Sequence, residues 1–433
     1  MILLLYHQKP RAQRKAISTH LAVFKKYKKD QFVYWNVAFG IPKIVEQCNF
    51  EAILFHFTFF IPNINVPFDK EFKNWVILKR LDIPKFAIIQ DEYVNTESLC
   101  RFLKEFKVQT VFTCLPSSLY HTVYPYEKSG VDNFYTVLTG YIDEEMVENS
   151  VIIPHKDRAN DIVYRARKMP YNLGTFGTYK WKLTEKFLEK NAGYHLKMDV
   201  SNDPNDFIFG ENWYQFVADS RTILGCESGS GIHDPNGEIR TCCEKRTLEN
   251  PNVDFDTVKE MCFKEIDDMF PYFAVSPRHF EAAASKTCQV LVEGNYNGIL
   301  KANEHYISIK KDWSNMDDVL QRIKQIDYCE SMAEKAYNDI VASGKYTYKA
   351  FVEFIFEKIN NQTKNKDLNQ TANMNAIIRL NKYAERIYLF NTKMYIKNLL
   401  IEYTKRCIWY FNLDKTTWFK KLEFFIFKTN TVR

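Results

Sequence analysis

The residues best suited to ligand chemistry lie at 276–281, where Ser-Pro-Arg-His-Phe-Glu follows a predicted apolar strand at 273–275. A helix that begins after a parallel strand presents free N–H groups and partial positive charge, which suit a diphosphate. Arg278 would add a planar pair of donors, and Glu281 could accept hydrogen bonds from a ribose diol. The segment predicts a nucleotide-binding helix N-terminus that begins at Ser276. The alternative is an ordinary helix–strand unit without a ligand.

A second candidate is the loop Gly-Cys-Glu-Ser-Gly-Ser-Gly at 225–231, which follows a predicted buried strand. Glycines at Gly229 and Gly231 would let backbone N–H groups approach a ligand closely, with Glu227 in the same loop. A plain turn explains the glycines equally without any ligand.

Two carboxylates, Asp91 and Glu92, end another predicted buried strand in the first third of the chain. A carboxylate at a strand end can deprotonate an acceptor hydroxyl as a general base. The alternative is a pair of solvated loop carboxylates. His56 ends the preceding predicted strand. It is a second candidate base, and we expect it to face the same cleft as Asp91 and Glu92. A lone histidine there could instead be a hydrogen-bonded core residue.

The elements that would position these residues alternate between strands and helices. This alternation predicts α/β domains with doubly wound, mostly parallel sheets. In the first domain we predict strands at 2–6, 32–36, 52–56, 86–90, 108–113 and 134–138, and helices at 12–27, 69–79 and 96–106. In the second we predict strands at 161–164, 195–200, 222–226, 273–275 and 289–292, and helices at 181–190 and 213–220.

Three regions follow from this pattern: a first domain at 1–150, a second at 151–325, and a helical extension at 326–433. The polar stretch 143–160 is the predicted linker between the domains, and 362–375 is a further polar linker or surface turn. A long insertion is expected between the strand at 222–226 and about residue 270.

Composition narrows the class of protein. The 433 residues suffice for about two to three domains, and 46% hydrophobic content excludes a disordered chain. The sequence has no apolar run of the roughly 18 residues that a membrane-spanning helix needs. Ten cysteines without metal-ligand spacing, several inside apolar runs (Cys114, Cys226, Cys288), predict reduced core thiols and a cytoplasmic location.

The net charge of +6 is unevenly distributed. Residues 376–433 carry 12 Lys/Arg against 4 Asp/Glu, so this tail has a balance of +8 and the first 375 residues one of −2. A nearly neutral body argues against a nucleic-acid partner. The tail interleaves its cations with 13 aromatic residues, as a segment on an anionic membrane surface would. A helical extension packed on the body or on a partner remains an equal alternative.

The segment that begins at Ser276 closely resembles the nucleotide-binding motif of GT-B glycosyltransferases of the spore-maturation (CgeB-like) group. The residues that match are Ser276, Arg278, Phe280, Glu281, Ala282, Gly298, His305 and Tyr306. The resemblance covers about residues 1–325. It implies a GT-B fold, in which two Rossmann-like domains face a cleft, and transfer of a sugar from a nucleotide-sugar donor held by the second domain.

The resemblance also assigns site residues. In related enzymes the first strand-to-helix loop of the second domain supplies an Arg and a Lys to the donor diphosphate. Arg165, Arg167 and Lys180 match these in type, and one of the three is expected to be only a solvated surface cation. Glu227 and Glu281 correspond in type to the two glutamates of many retaining enzymes, so the resemblance implies that Glu227 contacts the donor sugar as a catalytic residue and could stabilise the cation-like anomeric carbon. They are far further apart in sequence than in the common motif, which weakens a retaining assignment. The group also has a Gln-Asp-Glu-Tyr like that at 90–93, so Asp91 or Glu92 is the implied base.

The expected function is therefore metal-independent glycosyl transfer to a glycan or lipid-linked acceptor, in bacterial surface polysaccharide assembly such as capsule or lipopolysaccharide. No cofactor is expected beyond the donor, because Asp254-Phe-Asp256 opens a predicted helix and is better explained as a cap than as a metal motif. Two alternatives remain: a GT-B-fold sugar-nucleotide epimerase, and a non-catalytic protein that binds nucleotides or polyanions.

Overall fold

The computed structural model describes residues 1–8, 15–65, 69–148, 150, 152–363 and 374–386. Residues Met1–His7 and Gln13–Leu368 form one compact unit, which holds the two α/β domains. The described part of the second unit includes a helix at 374–386. The predicted membrane-binding tail therefore lies mostly outside the described residues.

The first domain is a six-stranded, fully parallel sheet in the order β2-β1-β3-β4-β5-β6. Its strands are β1 Ile2–Tyr6, β2 Phe32–Asn36, β3 Ala52–Phe55, β4 Lys85–Ile89, β5 Thr110–Thr113 and β6 Asn133–Thr136. The helices that cover it and lead out of it are α1 Lys15–Tyr27, α2 Phe57–Asn65, α3 Val76–Arg80, α4 Thr96–Glu105, α5 Tyr120–Val123, α6 Tyr126–Ser129 and α7 Glu144–Glu148.

The central strands are mostly apolar because a parallel sheet is covered on both faces. All four residues of β3 and all five of β4 are buried. Because the strands are parallel, their carboxyl ends lie along one edge of the sheet, where the loop after β4 begins. Helix α2 was not predicted, since its run of aromatic residues resembles a strand. It forms because Phe59 and Phe60 pack on Phe102 of α4, with ring centroids 5.3 and 5.5 Å apart.

The second domain has a five-stranded parallel sheet in the order β13-β12-β9-β7-β8, and a separate antiparallel pair, β10 with β11. Its strands are β7 Asn160–Arg165, β8 Met198–Ser201, β9 Ser220–Gly225, β10 Ser228–Ser230, β11 Tyr272–Ala274, β12 Cys288–Val292 and β13 Tyr306–Ile309. Its helices, with those that follow, are α8 Gly174–Asn191, α9 Glu211–Ala218, α10 Glu238–Glu249, α11 Phe255–Cys262, α12 Pro277–Ala284, α13 Met316–Lys324, α14 Ile326–Ala336 and α15 Tyr348–Gln362.

Two doubly wound sheets confirm the predicted fold class. One detail was wrong: the strand before the nucleotide-binding motif, β11, is not a member of the parallel sheet. It pairs antiparallel with β10, and Ser228, Gly229 and Ser230 are opposite Ala274, Phe273 and Tyr272. The helix that follows, α12, is thus delivered by a two-stranded ribbon.

The insertion between β10 and β11 contains α10 and α11, which a disulfide joins. The bond links Cys242 to Cys262, with their Cα atoms 5.9 Å apart. The expectation of reduced thiols is therefore wrong for this pair. The other seven cysteines that the structure describes are free and buried, as expected for core thiols.

The first two helices of the predicted extension at 326–433, α14 and α15, pack on different domains, and α13 belongs to the predicted second domain. Helices α13 and α14 pack on the second sheet, where Leu320 and Met332 join its apolar core. Helix α15 instead packs on the first domain: its Phe351 stacks on Tyr141 with ring centroids 4.5 Å apart, and it also contacts Phe24 of α1 at 5.7 Å.

The two domains meet at the carboxyl ends of their strands. The loop after β4 bonds to the insertion, with Asn95 N donating to Asp234 O (2.9 Å) and Asp234 N to Tyr93 O (2.7 Å). Near α12, the Thr139 hydroxyl donates to Val275 O at 2.6 Å. These bonds bring the loop that carries Asp91 to the segment before α12.

Candidate active site

The N-terminus of α12 is held rigidly. Ser276 precedes the helix, Pro277 occupies its first turn, and the Ser276 backbone N–H donates to Nδ1 of His279 at 3.0 Å. Burial lowers the pKa of His279 to about 3, so its ring is neutral and can accept this bond. A Cβ on Gly140 would lie 2.6 Å from the Pro277 ring, so glycine is needed there for the domains to meet. The helix start is thus fixed beside the first domain.

Arg278 and Glu281 share one partner, Trp213 of α9. The Arg278 guanidinium lies 4.7 Å above the indole ring and donates to Arg165 O at 2.6 Å, while remaining exposed. The indole N–H donates to Oε2 of Glu281 at 2.7 Å. Burial raises the pKa of Glu281, and the Trp213 bond and Arg278 oppose that shift. A cation and a carboxylate are therefore arranged side by side on the first turns of α12.

Two further cations lie near Arg278. Lys180, on α8, is half-buried, and Arg167, in the loop before α8, is exposed. Among the described residues neither makes a hydrogen bond or ion pair. Desolvation lowers the pKa of Lys180 most, Cys226 and Asp91 oppose the shift, and Arg278 and Arg167 lower it further. Three cations near a helix N-terminus are an arrangement that suits an anion.

Asp91 faces these cations from the first domain. It follows β4 in the left-handed backbone region, with φ of 59°, which aspartate tolerates better than most residues. Its N–H donates to the Tyr272 hydroxyl at 3.1 Å, and its side chain is exposed. Burial of the surroundings raises the pKa of Asp91, while Lys180 and a hydrogen bond from Tyr93 lower it. A solvent-accessible carboxylate with a raised pKa suits proton abstraction.

The other two base candidates lie in the core. Glu92 is 1% exposed and accepts hydrogen bonds from the Thr113 hydroxyl, from Cys114 N (3.1 Å) and from the Tyr124 hydroxyl (2.6 Å). Its carboxylate fastens β4 to β5 and cannot reach an acceptor. The expectation that His56 faces the cleft is wrong.

His56 is fully buried, with Nε2 2.9 Å from Nδ1 of His20 and Nδ1 2.9 Å from the Thr58 hydroxyl. Burial lowers its pKa well below the ordinary value, and His20 adds to the shift. His56 is therefore the hydrogen-bonded core histidine of the alternative interpretation.

Arg165 and Glu227 are also engaged within the protein. Arg165 is 8% exposed, donates to Asp199 Oδ1 at 2.6 Å and lies 4.6 Å over the Phe216 ring. It supports the site indirectly, because its carbonyl accepts the Arg278 bond. Glu227 is 4% exposed, and its Oε1 accepts from Tyr296 N at 2.6 Å. It ties the glycine loop to the loop after β12, and its pKa is raised by burial.

The glycines of that loop serve packing between protein segments. A Cβ on Gly229 would lie 1.8 Å from Tyr272 O in the β10–β11 ribbon, and one on Gly231 would lie 2.2 Å from Asp268 Oδ1. These positions favour glycine because protein atoms approach closely there. The plain structural alternative explains them fully.

The described residues contain no group of three His, Cys, Asp or Glu that could hold a metal ion. Asp254 caps α11, with its Oδ1 accepting from Thr257 N at 2.9 Å, which confirms the helix-cap interpretation of the Asp-x-Asp sequence. Within the same residues, no helix is long and apolar enough to cross a membrane.

Two site residues escaped sequence reasoning. Trp213 contacts both Arg278 and Glu281, and His279 holds the backbone at the start of α12 through Ser276 N. His279 stands three positions after a serine, where a capping residue is common, and this spacing was an available signal. Trp213 lies 65 positions before Arg278 in the sequence, and nothing local connects the two.

Comparison with known proteins gives a fold but no relative in sequence. No protein-family model matches the chain, and no curated protein matches it. Among solved structures, an α-glucosyltransferase in complex with UDP-glucose and DNA containing an abasic site is similar with a TM-score of 0.51 and 11% identity, covering 83% of this chain and 99% of that one. Anabaena Alr3699/HepE in complex with UDP-glucose covers the same shares at 10% identity and a TM-score of 0.47. T4 phage BGT in complex with its UDP-glucose substrate is similar at 10% identity with a TM-score of 0.42. The match covers 83% of this chain and 98% of that one. The chain has the two-domain GT-B fold.

Proposed function

We propose that this protein is a glycosyltransferase that uses a nucleotide-sugar donor, as the resemblance to the spore-maturation group implies. The observation that carries the proposal is the group of cations Arg167, Lys180 and Arg278 around the N-terminus of α12, opposite the accessible carboxylate of Asp91. A leaving diphosphate and an acceptor hydroxyl need these two kinds of group on opposite sides of one cleft.

The cations would neutralise the diphosphate as it leaves the sugar. Lys180 and Arg167 have no competing partner among the described residues, so neither must break a bond to receive a phosphate. Fixed cations and helix N–H groups can stabilise the separating charge without reorganising. We therefore propose that no metal ion is required, which chelation during an assay would test. Glu281 retains one carboxylate oxygen for the ribose of the donor, since Trp213 uses the other.

Asp91 would take the proton of the acceptor hydroxyl as its oxygen attacks the anomeric carbon. The attacking oxygen forms the new glycosidic bond, the bond to the diphosphate breaks, and the electron pair leaves with the phosphate. The positive character of the anomeric carbon in between resembles that in glycoside hydrolysis. Buried Glu227 would shape the donor pocket through the loop after β12, from whose Tyr296 N–H it accepts a hydrogen bond.

The finer assignment follows the resemblance. We propose a UDP-sugar donor, which the structurally similar α-glucosyltransferase binds, and a glycan or lipid-linked acceptor in bacterial surface polysaccharide assembly at the cytoplasmic face of a membrane. The basic, aromatic tail at 376–433 would bring the enzyme to such an acceptor. A chain that ends near Asn375 should keep donor binding and lose binding to anionic liposomes.

The first test is nucleotide binding by calorimetry with UDP-, GDP-, CMP- and dTDP-sugars. Lys180→Ala and Arg278→Ala should each weaken binding of the preferred donor by roughly tenfold to a hundredfold, as expected for loss of a charge-assisted hydrogen bond. Lys182→Ala is the matched control, because Lys182 is on the same helix and has no partner among the described residues. Its affinity should equal that of the wild type.

Unchanged affinity in both site variants would show that the donor binds elsewhere. Product analysis with the nucleotide-sugar alone separates transfer from epimerisation. An epimerase converts the sugar without an acceptor, whereas a transferase leaves it intact apart from slow hydrolysis. Donor binding with neither product, even with acceptor extracts supplied, would favour the non-catalytic alternative.

A further inference from the structure

Trp213 contacts both donor-site residues of α12 although it belongs to another helix. It is 8% exposed, its ring lies under the Arg278 guanidinium at 4.7 Å, and its N–H reaches Glu281 Oε2 at 2.7 Å. Without the tryptophan, neither contact has a substitute among the described residues of α9. Arg278 and Glu281 carry opposite charges three positions apart on one helix, where they could pair with each other.

We propose that Trp213 is a positioning residue for the donor, which keeps Arg278 and Glu281 apart and directs each towards its own part of the nucleotide. This inference rests on the proposed function. The ring supports the cation from below, as in other cation–π contacts, and the Arg278 N–H groups that do not bond to Arg165 O are left for phosphate. The indole N–H holds one carboxylate oxygen, so the other is presented in a single orientation.

Helix α9 also links this arrangement to the first domain. Glu211, at its start, forms an ion pair with Lys15 of α1 at 2.6 Å, and the Lys15 ammonium lies 5.0 Å from the Tyr214 ring. The charged and titratable groups that face Glu281 are therefore Arg278 on its own helix, Lys15 on α1, Tyr214 on α9 and Tyr348 on α15. Among the bonds described, only Trp213 donates to the side-chain carboxylate of Glu281.

The experiment separates the two contacts. Trp213→Phe keeps a ring under Arg278 and removes the N–H donor, whereas Trp213→Leu removes both. We expect donor affinity to fall about tenfold in Trp213→Phe, the usual scale for a hydrogen bond to a charged group, and further in Trp213→Leu. In a Glu281→Ala background Trp213→Phe should cost less than about threefold, because the N–H has lost its partner.

The pH dependence of donor affinity gives a readout that general packing damage would not move. A hydrogen bond to the charged carboxylate lowers its pKa, so its loss raises the pH at which Glu281 ionises. We expect the midpoint of the affinity–pH curve to move upward in Trp213→Phe and the titration to disappear in Glu281→Ala.

Trp181→Phe is the control, since Trp181 is equally buried in the same domain and its indole N–H has no partner among the described residues. Its donor affinity and pH midpoint should match the wild type. An equal affinity loss in Trp213→Phe with and without Glu281, or an unmoved midpoint, would overturn the inference while leaving the proposed function standing. Failure of the wild type to bind any nucleotide or nucleotide-sugar would overturn both.

Discussion

Substitution of Glu92 tests the division of roles between the two adjacent carboxylates. Glu92 is buried at the junction of β4 and β5, and all of its partners are donors: the Thr113 and Tyr124 hydroxyls and the backbone N–H of Cys114. If this carboxylate is structural, its loss should lower the free energy of unfolding and leave transfer per folded molecule unchanged. If Glu92 were the base, its loss should instead abolish most of the transfer and leave the free energy of unfolding nearly unchanged.

The size of the effect follows from those partners. In Glu92→Ala a buried N–H and two buried hydroxyls lose their acceptor, at about 1–3 kcal/mol for each group left unpaired. Partial re-pairing of the hydroxyls reduces the sum, so we expect a loss of roughly 3–5 kcal/mol. In Glu92→Gln the amide oxygen can face Cys114 N, and both hydroxyls can rotate to accept from the amide nitrogen. At about pH 5.5, where Glu92 is protonated in the folded protein, this variant should lose only about 1 kcal/mol.

Glu92 should also make stability depend on pH. Burial raises its pKa from 4.5 to about 8, so between these values the folded protein holds a proton that the unfolded chain has released. The free energy of unfolding therefore falls as the pH rises through this window, by about 1.4 kcal/mol per pH unit. Glutamine has no such proton. Between about pH 5.5 and about pH 7.5, Glu92→Gln should become more stable relative to the wild type by roughly 2–3 kcal/mol.

The assay is urea unfolding of the wild type and both variants across this pH range, with activity measured on the folded fraction. The difference in the free energy of unfolding between the wild type and Glu92→Gln reports the titration of Glu92 alone, because the other titrating groups contribute equally to both proteins. A stability difference that is flat with pH would show that the three donors keep the carboxylate ionised in the folded protein. Normal stability with transfer reduced a hundredfold would refute the structural assignment altogether.

Three further outcomes are expected. Asp91→Asn should keep donor binding and lose transfer by roughly a hundredfold or more, with Asp132→Asn, an exposed aspartate outside the cleft, as control; full activity would place the base elsewhere. Burial lowers the pKa of His20 from 6.5 to about 3. The folded state therefore resists protonation, and the free energy of unfolding falls as the pH drops below 6.5. In His20→Phe the free energy of unfolding should depend less steeply on pH in this range, and equal slopes in the variant and the wild type would contradict the burial argument. Replacing Cys242 and Cys262 by serine should lower the unfolding free energy by up to about 3 kcal/mol for a loop of this length, and no change would show that the bond does not constrain the unfolded chain.

The sequence predicted the architecture and the helix at the centre of the site. Alternation of strands and helices was enough for two parallel sheets, because each central strand is an apolar run that burial on both faces requires. The start of α12 could be located because serine, proline and the charged first turn are local signals. The sheet to which β11 belongs could not be predicted. A three-residue strand pairs through tertiary contacts, and its sequence does not indicate which strand it will pair with.

Residue type alone does not decide which arginine of the β7–α8 segment is available to a ligand. Arg165 and Arg167 are two positions apart, and the resemblance assigned both to the diphosphate. Arg165 is the last residue of β7, where Asp199 of β8 and the Phe216 ring surround it. Arg167 lies beyond the strand end and is exposed. The distinction depends on where the strand stops and on which residues the neighbouring strand and helix bring alongside.

The position of the side chain also distinguishes the adjacent carboxylates Asp91 and Glu92, of which only one is accessible. After β4, one of two consecutive side chains must face the core if the other faces the cleft. The left-handed conformation at Asp91 turns the chain so that its carboxylate meets Lys180, and Glu92 then points back to Thr113 and Tyr124. Burial raises the pKa of both carboxyls, but only the Asp91 side chain is exposed, whereas that of Glu92 is buried. Access to the cleft, and not the size of the pKa shift, therefore selects Asp91 as the proposed base.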